Sequence, residues 1–147
     1  MNSKQLIIDI ETVGYDFEDF DETTKYFLTR WIKKESKSEE EYRIALQDLK
    51  DGLGFSPHTG FIVAIGLLRV EENSGLVYYQ SPDIQQTDFE ENGIAFKARP
   101  EKEMLEEFYK GIANYQQIIT FNGRSFDIPF IATRAAAYKI KQTVDLM

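Results

Sequence analysis

Residues 120–129 read Thr-Phe-Asn-Gly-Arg-Ser-Phe-Asp-Ile-Pro and contain the clearest structural signal in the chain. Residues 117–121, which lead into this stretch, are mostly apolar and predict a strand. The Asn-Gly pair predicts a turn, and apolar residues that recur between positions 128 and 138 predict a helix. Asp127 therefore stands in the first turn of a helix that directly follows a strand.

Two further acids lie on the first predicted strand, residues 5–11. Side chains alternate between the two faces of a strand, so Asp9 and Glu11 share one face while apolar residues share the other. Two carboxylates about 6 Å apart repel by roughly 2.8 kcal/mol at an effective dielectric of 20, so a core would not pair them without a cation. For this pair alone, the competing interpretation is a strand that simply runs into solvent at Glu11.

Asp127 alone is equally explained as an ordinary N-cap of its helix. Together with Asp9 and Glu11 it indicates something else, because ligands of α/β sheets usually bind at the ends of strands. We therefore hypothesise that these three acids converge on one divalent-metal site.

Residues 14–52 contain two helical patterns and predict a helical insertion after the first strand. Ser38, followed three residues later by Glu41, predicts a capping box at the start of the second helix, and Gly52 its end. The residues expected to pack this insertion are Phe27, Trp31, Tyr42 and Leu46.

A basic stretch lies in the first of these helices. Residues 25–37 carry five cations against the single acid Glu35, interleaved with Tyr26, Phe27 and Trp31. This pattern is typical of a surface that flanks nucleic acid, with rings for stacking and cations for phosphate. It is equally typical of an amphipathic helix that packs Phe27 and Trp31 inward and leaves its basic face solvated.

The rest of the chain predicts alternating strands and helices. Residues 61–68 are nearly all apolar and predict a central strand, with residues 75–80 as its hairpin partner. Residues 81–99 give no clear pattern. Pro100 is expected in the first turn of a helix that reaches Ile112, and residues 144–146 are expected to begin another strand.

Composition sets the general class. The chain has 147 residues, with 17 Lys and Arg against 25 Asp and Glu, a net charge of −8, which fits one soluble domain over residues 1–147. The absence of Cys excludes thiol catalysis and Cys-ligated zinc, and the single His excludes sites that need two. The first apolar run, residues 6–8, is too short for a signal peptide or a membrane span, so we expect a cytoplasmic protein without a membrane partner. The single His, His58, is expected at the surface.

These segments resemble the proofreading-type 3′–5′ exonucleases of the DEDD superfamily, and are most similar to the exonuclease domain of family-B DNA polymerases. The likeness is carried by Asp9-Ile10-Glu11-Thr12, by residues 60–66 and above all by residues 120–130. It implies an α/β fold of the ribonuclease H type. The sheet is then mixed, with its first three strands antiparallel, its later strands parallel to the first, and helices on its faces.

The resemblance also implies a two-metal mechanism with Mg²⁺ or Mn²⁺, in which two ions stabilise the attacking and leaving oxygens of a phosphodiester. Asp9 is then expected to bridge both ions. Glu11 is expected to hold the ion that generates the hydroxide, and Asp127 the ion at the leaving group.

The implied substrate is a nucleic acid with a 3′ end, single-stranded DNA before RNA. Thr12, Asn122 and Arg124 are the expected substrate contacts, although Asn122 is equally explained as a turn residue. A competing hypothesis is a non-catalytic module that binds nucleic acid or a protein on the same fold. Another is a phosphoesterase that acts on small nucleotides.

The sequence departs from the family at a third motif, Tyr-x-x-x-Asp or its His equivalent, which is expected after Asp127 and does not occur there. Three carboxylates supply −3 against the +4 of two dications, so we expect weak or single metal occupancy and little activity from this chain. We also expect the chain to be C-terminally truncated, with an exposed apolar face that favours dimerisation.

Overall fold

The computed structural model describes residues 4–83 and 87–146. Strands and helices in this part of the chain follow one another in the order expected of a mixed α/β protein. The strands are β1 (Gln5–Gly14), β2 (Gly60–Arg69), β3 (Ser74–Tyr79), β4 (Phe89–Glu91), β5 (Ile94–Ala98) and β6 (Gln117–Ile119). The helices are α1 (Glu22–Glu35), α2 (Glu39–Gly52), α3 (Glu101–Ile112) and α4 (Asp127–Ala137).

All of these strands form one sheet in the order β4-β5-β3-β2-β1-β6. The strands β2 and β3 are antiparallel, and β1 and β6 are parallel, with Ile7 opposite Ile119. Strand β1 runs antiparallel to β2, because the carbonyl of Gln5 accepts a hydrogen bond from the N–H of Val70, whereas Asp9 lies against Gly66. The predicted mixed sheet, antiparallel first and parallel later, is confirmed.

The sequence pattern does not predict the two strands beyond β3, which are β4 and β5. Residues 89–98 form a hairpin whose second strand, β5, pairs parallel to β3. Its turn is Asn92-Gly93, with φ of 52° and 79°, and an Asn-Gly pair is the strongest short-range hairpin signal. Residues 81–99 therefore contain a local signal for this turn, although they show no clear pattern of strands or helices. Residues 84–86 lie outside the described part of the chain.

The chain divides into two compact units, one made of Val13–Phe61 and a larger one made of the remaining residues. In the larger unit, α3 and α4 pack on the sheet face that carries Leu6, Ile8 and Ile10. The helix residues buried against that face are Met104, Leu105, Phe108, Tyr109, Ile112, Phe130, Ile131 and Ala135.

A buried ion pair joins the two helices of the larger unit. The guanidinium of Arg134 donates two hydrogen bonds to Glu101, at 2.9 and 2.6 Å, and both side chains are buried. Glu101 also accepts from the backbone N–H of Ile62 at 2.8 Å and from the hydroxyl of Tyr138 at 2.9 Å. One carboxylate therefore fixes α3 to both α4 and β2.

The smaller unit contains α1 and α2, as the helical patterns predict. Ser38 caps α2 and accepts from the N–H of Glu41 at 3.2 Å, while the Glu41 carboxylate accepts from the N–H of Lys37 at 2.7 Å. The predicted start of α2 at Ser38 and its end at Gly52 are confirmed. His58 is exposed, as expected.

The predicted packing face of α1 is wrong. Phe27 and Trp31 are 55% and 48% exposed, whereas Ile32 is fully buried and Thr29 is nearly so. The hydroxyl of Thr29 donates to the carbonyl of Lys25 at 2.8 Å, which satisfies it inside the unit. A helix with apolar residues on two sides does not reveal from its pattern which side is covered, and here it is the side of Ile32.

Three smaller expectations are corrected. Pro100 precedes α3 as its cap residue instead of standing in its first turn. Strand β6 ends at Ile119, two residues before the predicted end at Phe121. Residues 144–146 form no strand. None of the helices in the described part of the chain is long and apolar enough to cross a membrane.

Candidate active site

The exposed face of β1 carries the first two candidate residues. Along this strand Leu6, Ile8 and Ile10 are buried, while Asp9 and Glu11, which alternate with them, are exposed. The alternation places both carboxylates on the face opposite the one covered by α3 and α4. The prediction that the two acids share a face is therefore confirmed.

The third candidate follows a tight turn between β6 and α4. Asn122 adopts a left-handed conformation with φ of 55°, and its carbonyl accepts from the N–H groups of Ser125 and Phe126 at 3.0 and 3.2 Å. A Cβ atom on Gly123 would lie 2.0 Å from the hydroxyl oxygen of Thr120, so only glycine fits there. This turn fixes where α4 begins.

Asp127 is the first residue of α4 and is buried, with 3% of its surface exposed. It is not the N-cap, because Phe126 occupies that position without a side-chain hydrogen bond. The simple capping role that the sequence left open for Asp127 is therefore wrong. A carboxylate in the first turn still benefits from the positive end of the helix dipole.

The charge of Asp9 affects the Asp127 carboxyl. Burial raises the pKa of the Asp127 carboxyl, and the negative charge of Asp9 raises it further. Hydrogen bonds from the backbone N–H groups of Asp127 itself and of Ile10 act in the opposite direction. The Asp127 carboxylate thus lies against β1 at the residue between Asp9 and Glu11.

Glu11 does not form a group of three metal-binding side chains with Asp9 and Asp127. Within residues 4–83 and 87–146, no three Asp, Glu or His side chains lie close enough together to hold a metal ion. The charge of Asp9 acts on Asp127, and Glu11 stands two residues farther along the same face of β1. The convergence of all three acids on one ion stays a prediction.

The expected substrate contacts are close to these acids in the sequence. Asn122 and Arg124 are exposed on the turn before α4, and Thr12 follows Glu11 on β1 and is half-buried. Phe121, at the predicted end of the strand before this turn, is 91% exposed. No local pattern predicts this exposure, because an apolar residue after Ile118-Ile119-Thr120 predicts that the strand continues.

Comparison with known proteins identifies the family of this chain. A family model of the RNase H superfamily matches residues 50–147, about two thirds of the chain, and the chain belongs to this superfamily. It is 27% identical over 134 residues to DNA polymerase 1 of Sulfurisphaera ohwakuensis, and 26% identical over 135 residues to DNA polymerase 1 of Saccharolobus solfataricus. Each alignment covers 86% of this chain but only 15% of the polymerase, so the chain spans a small part of these curated relatives. Fold, family and relatives together define a nuclease-type domain.

Proposed function

We propose that the chain is a metal-dependent 3′–5′ exonuclease domain that hydrolyses phosphodiester bonds at the 3′ end of DNA. One observation carries the proposal: the buried carboxylate of Asp127 lies beside the like charge of Asp9, and its pKa is raised. Such a pair is unfavourable by itself, and a divalent cation between the two groups removes the repulsion. Carboxylate oxygens are the ligands that Mg²⁺ and Mn²⁺ prefer.

In this proposal Asp9, Glu11 and Asp127 hold the divalent cations. When bound, the cations supply charge stabilisation at the attacking and leaving oxygens of an in-line displacement. Asp9 is proposed to serve both ions, because its charge acts on the Asp127 carboxyl and it shares a strand face with Glu11. Burial of Asp127 keeps one ligand fixed and dry, which strengthens its interaction with a cation.

Other residues around the acids bind the substrate. Arg124 is exposed on the turn before α4, where a guanidinium can donate hydrogen bonds to a phosphate. Asn122 is exposed on the same turn, and Thr12 supplies a hydroxyl next to Glu11. Single-stranded DNA with a 3′ hydroxyl is the proposed ligand.

The test combines metal binding with cleavage. Mn²⁺ binding is measured by electron paramagnetic resonance for the wild type and for Asp9→Asn, Asp127→Asn and Asp48→Asn. Asp48 is exposed on α2, so its variant is the matched control for removing one acid. We expect weak Mn²⁺ binding that is lost in the first two variants and kept in the third.

The same four proteins are then incubated for long times with a 5′-labelled single-stranded oligonucleotide and Mn²⁺. We expect slow shortening from the 3′ end in the wild type and in Asp48→Asn, with loss of this activity in Asp9→Asn. If Asp9→Asn matches Asp48→Asn in both Mn²⁺ binding and cleavage, the proposal is wrong. Binding of the oligonucleotide without Mn²⁺ binding or cleavage would favour the non-catalytic module instead.

A further inference from the structure

The exposed side of α1 carries rings and cations that the proposed active site does not use. At about 100° per residue, Phe27, Arg30, Trp31 and Lys34 fall on the side of the helix opposite the buried Ile32. We call these four residues the α1 stripe. Phe27 and Trp31 are 55% and 48% exposed, and Tyr26, which borders the stripe, is 59% exposed.

The charge of the α1 stripe is opposite to that of the chain. No acid occurs between Glu22 and Glu35, although the whole chain has a net charge of −8. Lys25 lies within 3.6 Å of both Glu18 and Glu22, so its charge is already balanced. The cations that remain on and beside the stripe are Arg30, Lys33 and Lys34.

The rings and cations of the α1 stripe are held in a defined arrangement. The Arg30 guanidinium lies 5.0 Å from the centre of the Phe27 ring, and the rings of Tyr26 and Phe27 meet edge to face at 5.5 Å. Asp21 caps the helix by accepting from the N–H of Thr24 at 2.9 Å. The stripe is therefore presented by a capped helix whose opposite side is buried.

We propose that the α1 stripe binds single-stranded nucleic acid. Phe27 and Trp31, one helical turn apart, offer flat apolar surfaces on which bases stack, and Arg30 and Lys34 lie between and beside them to contact phosphates. A duplex hides the faces of its bases from such rings. An uncharged apolar partner would desolvate the cations without compensating them, so the stripe fits a polyanion with exposed planar groups.

Trp31 makes this proposal directly measurable, because it is the one tryptophan of the chain. Its emission is followed while oligo(dT) is added in the presence of EDTA, so that no cleavage occurs. We expect quenching that saturates as bases stack on the ring. An abasic oligonucleotide of equal length and charge is expected to bind more weakly and to leave the emission nearly unchanged.

Two variants separate stacking from charge. Phe27→Ala is expected to weaken binding at least about fivefold, with Phe55→Ala, another exposed phenylalanine of the same unit, as the control without effect. The logarithm of the binding constant falls linearly with the logarithm of the salt concentration. The double variant Arg30→Gln/Lys34→Gln is expected to make this slope less steep by about 1.4, or about 0.7 for each lost phosphate contact. Lys102→Gln/Lys110→Gln on α3 removes the same charge elsewhere and is expected to change the slope little.

The outcomes are decisive for the stripe. Saturable oligo(dT) binding, seen by fluorescence anisotropy, without any change in Trp31 emission would overturn the proposal. So would equal quenching by oligo(dT), by the abasic strand and by polyglutamate, because the stripe would then recognise acidic chains of any kind. Neither result would bear on the metal site, whose test uses Mn²⁺ and different residues.

Discussion

Tyr109 is a single residue whose hydroxyl is left unsatisfied. Its side chain is 1% exposed, and among the described residues its hydroxyl has no hydrogen-bond partner. Burying an unpaired polar group costs about 1–3 kcal/mol. Tyr109→Phe removes the group and keeps the ring, so we expect the free energy of unfolding, measured with urea at pH 7, to rise by about 1 kcal/mol. An equal or lower value would show that the hydroxyl is satisfied in solution.

The same residue gives a prediction for alkaline pH. Burial raises the pKa of Tyr109 to about 12, so the folded state keeps its proton where the unfolded state loses it. Stability contributed by this residue is therefore complete below its ordinary pKa of about 10 and falls as pH rises toward 12. The advantage of Tyr109→Phe over the wild type is expected to grow across this range.

At the scale of residues, the sequence predicts which face of a strand a side chain occupies better than it predicts whether a side chain is buried. The shared face of Asp9 and Glu11 follows from strand alternation and is confirmed. The burial of Asp127 does not follow from any local pattern, because it depends on how α4 meets β1. The exposure of Phe121 has the same cause, since a turn of only a few residues decides whether the ring points inward.

At the scale of elements, the buried ion pair of Glu101 and Arg134 connects α3 to α4. Arg134→Met leaves the buried carboxylate of Glu101 with the N–H of Ile62 and the hydroxyl of Tyr138 but without a countercharge. Breaking such a pair from one side costs about 3–5 kcal/mol. We expect a loss of that size in urea unfolding.

The control for this prediction is Arg43→Met. Arg43 pairs with Glu40 at 2.8 Å on the surface of α2, and both side chains are largely exposed. An exposed pair of this kind contributes about 0–1 kcal/mol. If both arginine variants lose the same stability, the buried pair has no special structural role.

Prediction succeeds for elements where capping and turn residues agree with the apolar pattern. Helix α2 begins at its predicted cap because Ser38 and Glu41 are a local signal. The face of α1 could not be predicted, because its rings and its aliphatic residues lie on opposite sides of one helix. The ion pair of Glu101 and Arg134 is separated by 33 residues, and no spacing rule joins them.

At the scale of the molecule, exposed apolar residues on one face of the β1–β6 pair predict self-association. Ile7 and Ile119 are register partners on β1 and β6 and are 36% and 37% exposed, and Phe121, two residues beyond Ile119 in the chain, is 91% exposed. Apolar groups clustered at the edge of a sheet favour association with another copy. We expect sedimentation coefficients that rise with concentration for the wild type and not for Ile119→Lys.

Ile44→Lys is the matched control, because Ile44 is 52% exposed and belongs to α2 instead of the sheet. It is expected to behave as the wild type does. A sedimentation coefficient of the wild type that does not change with concentration would contradict the prediction.

The pairing of β1 with β6 also determines when the sheet becomes complete during synthesis. Lys4 donates to Gln116 across a separation of 112 residues, and Gln5 is in register with Gln117. At about 5–20 residues per second, a ribosome needs roughly 6–22 s to pass from one partner to the other. For that time the outer edge of β1 lacks its neighbour on the nascent chain. Contacts so distant in sequence slow folding, so β1 is the strand whose open edge is exposed to chaperones and to mispairing.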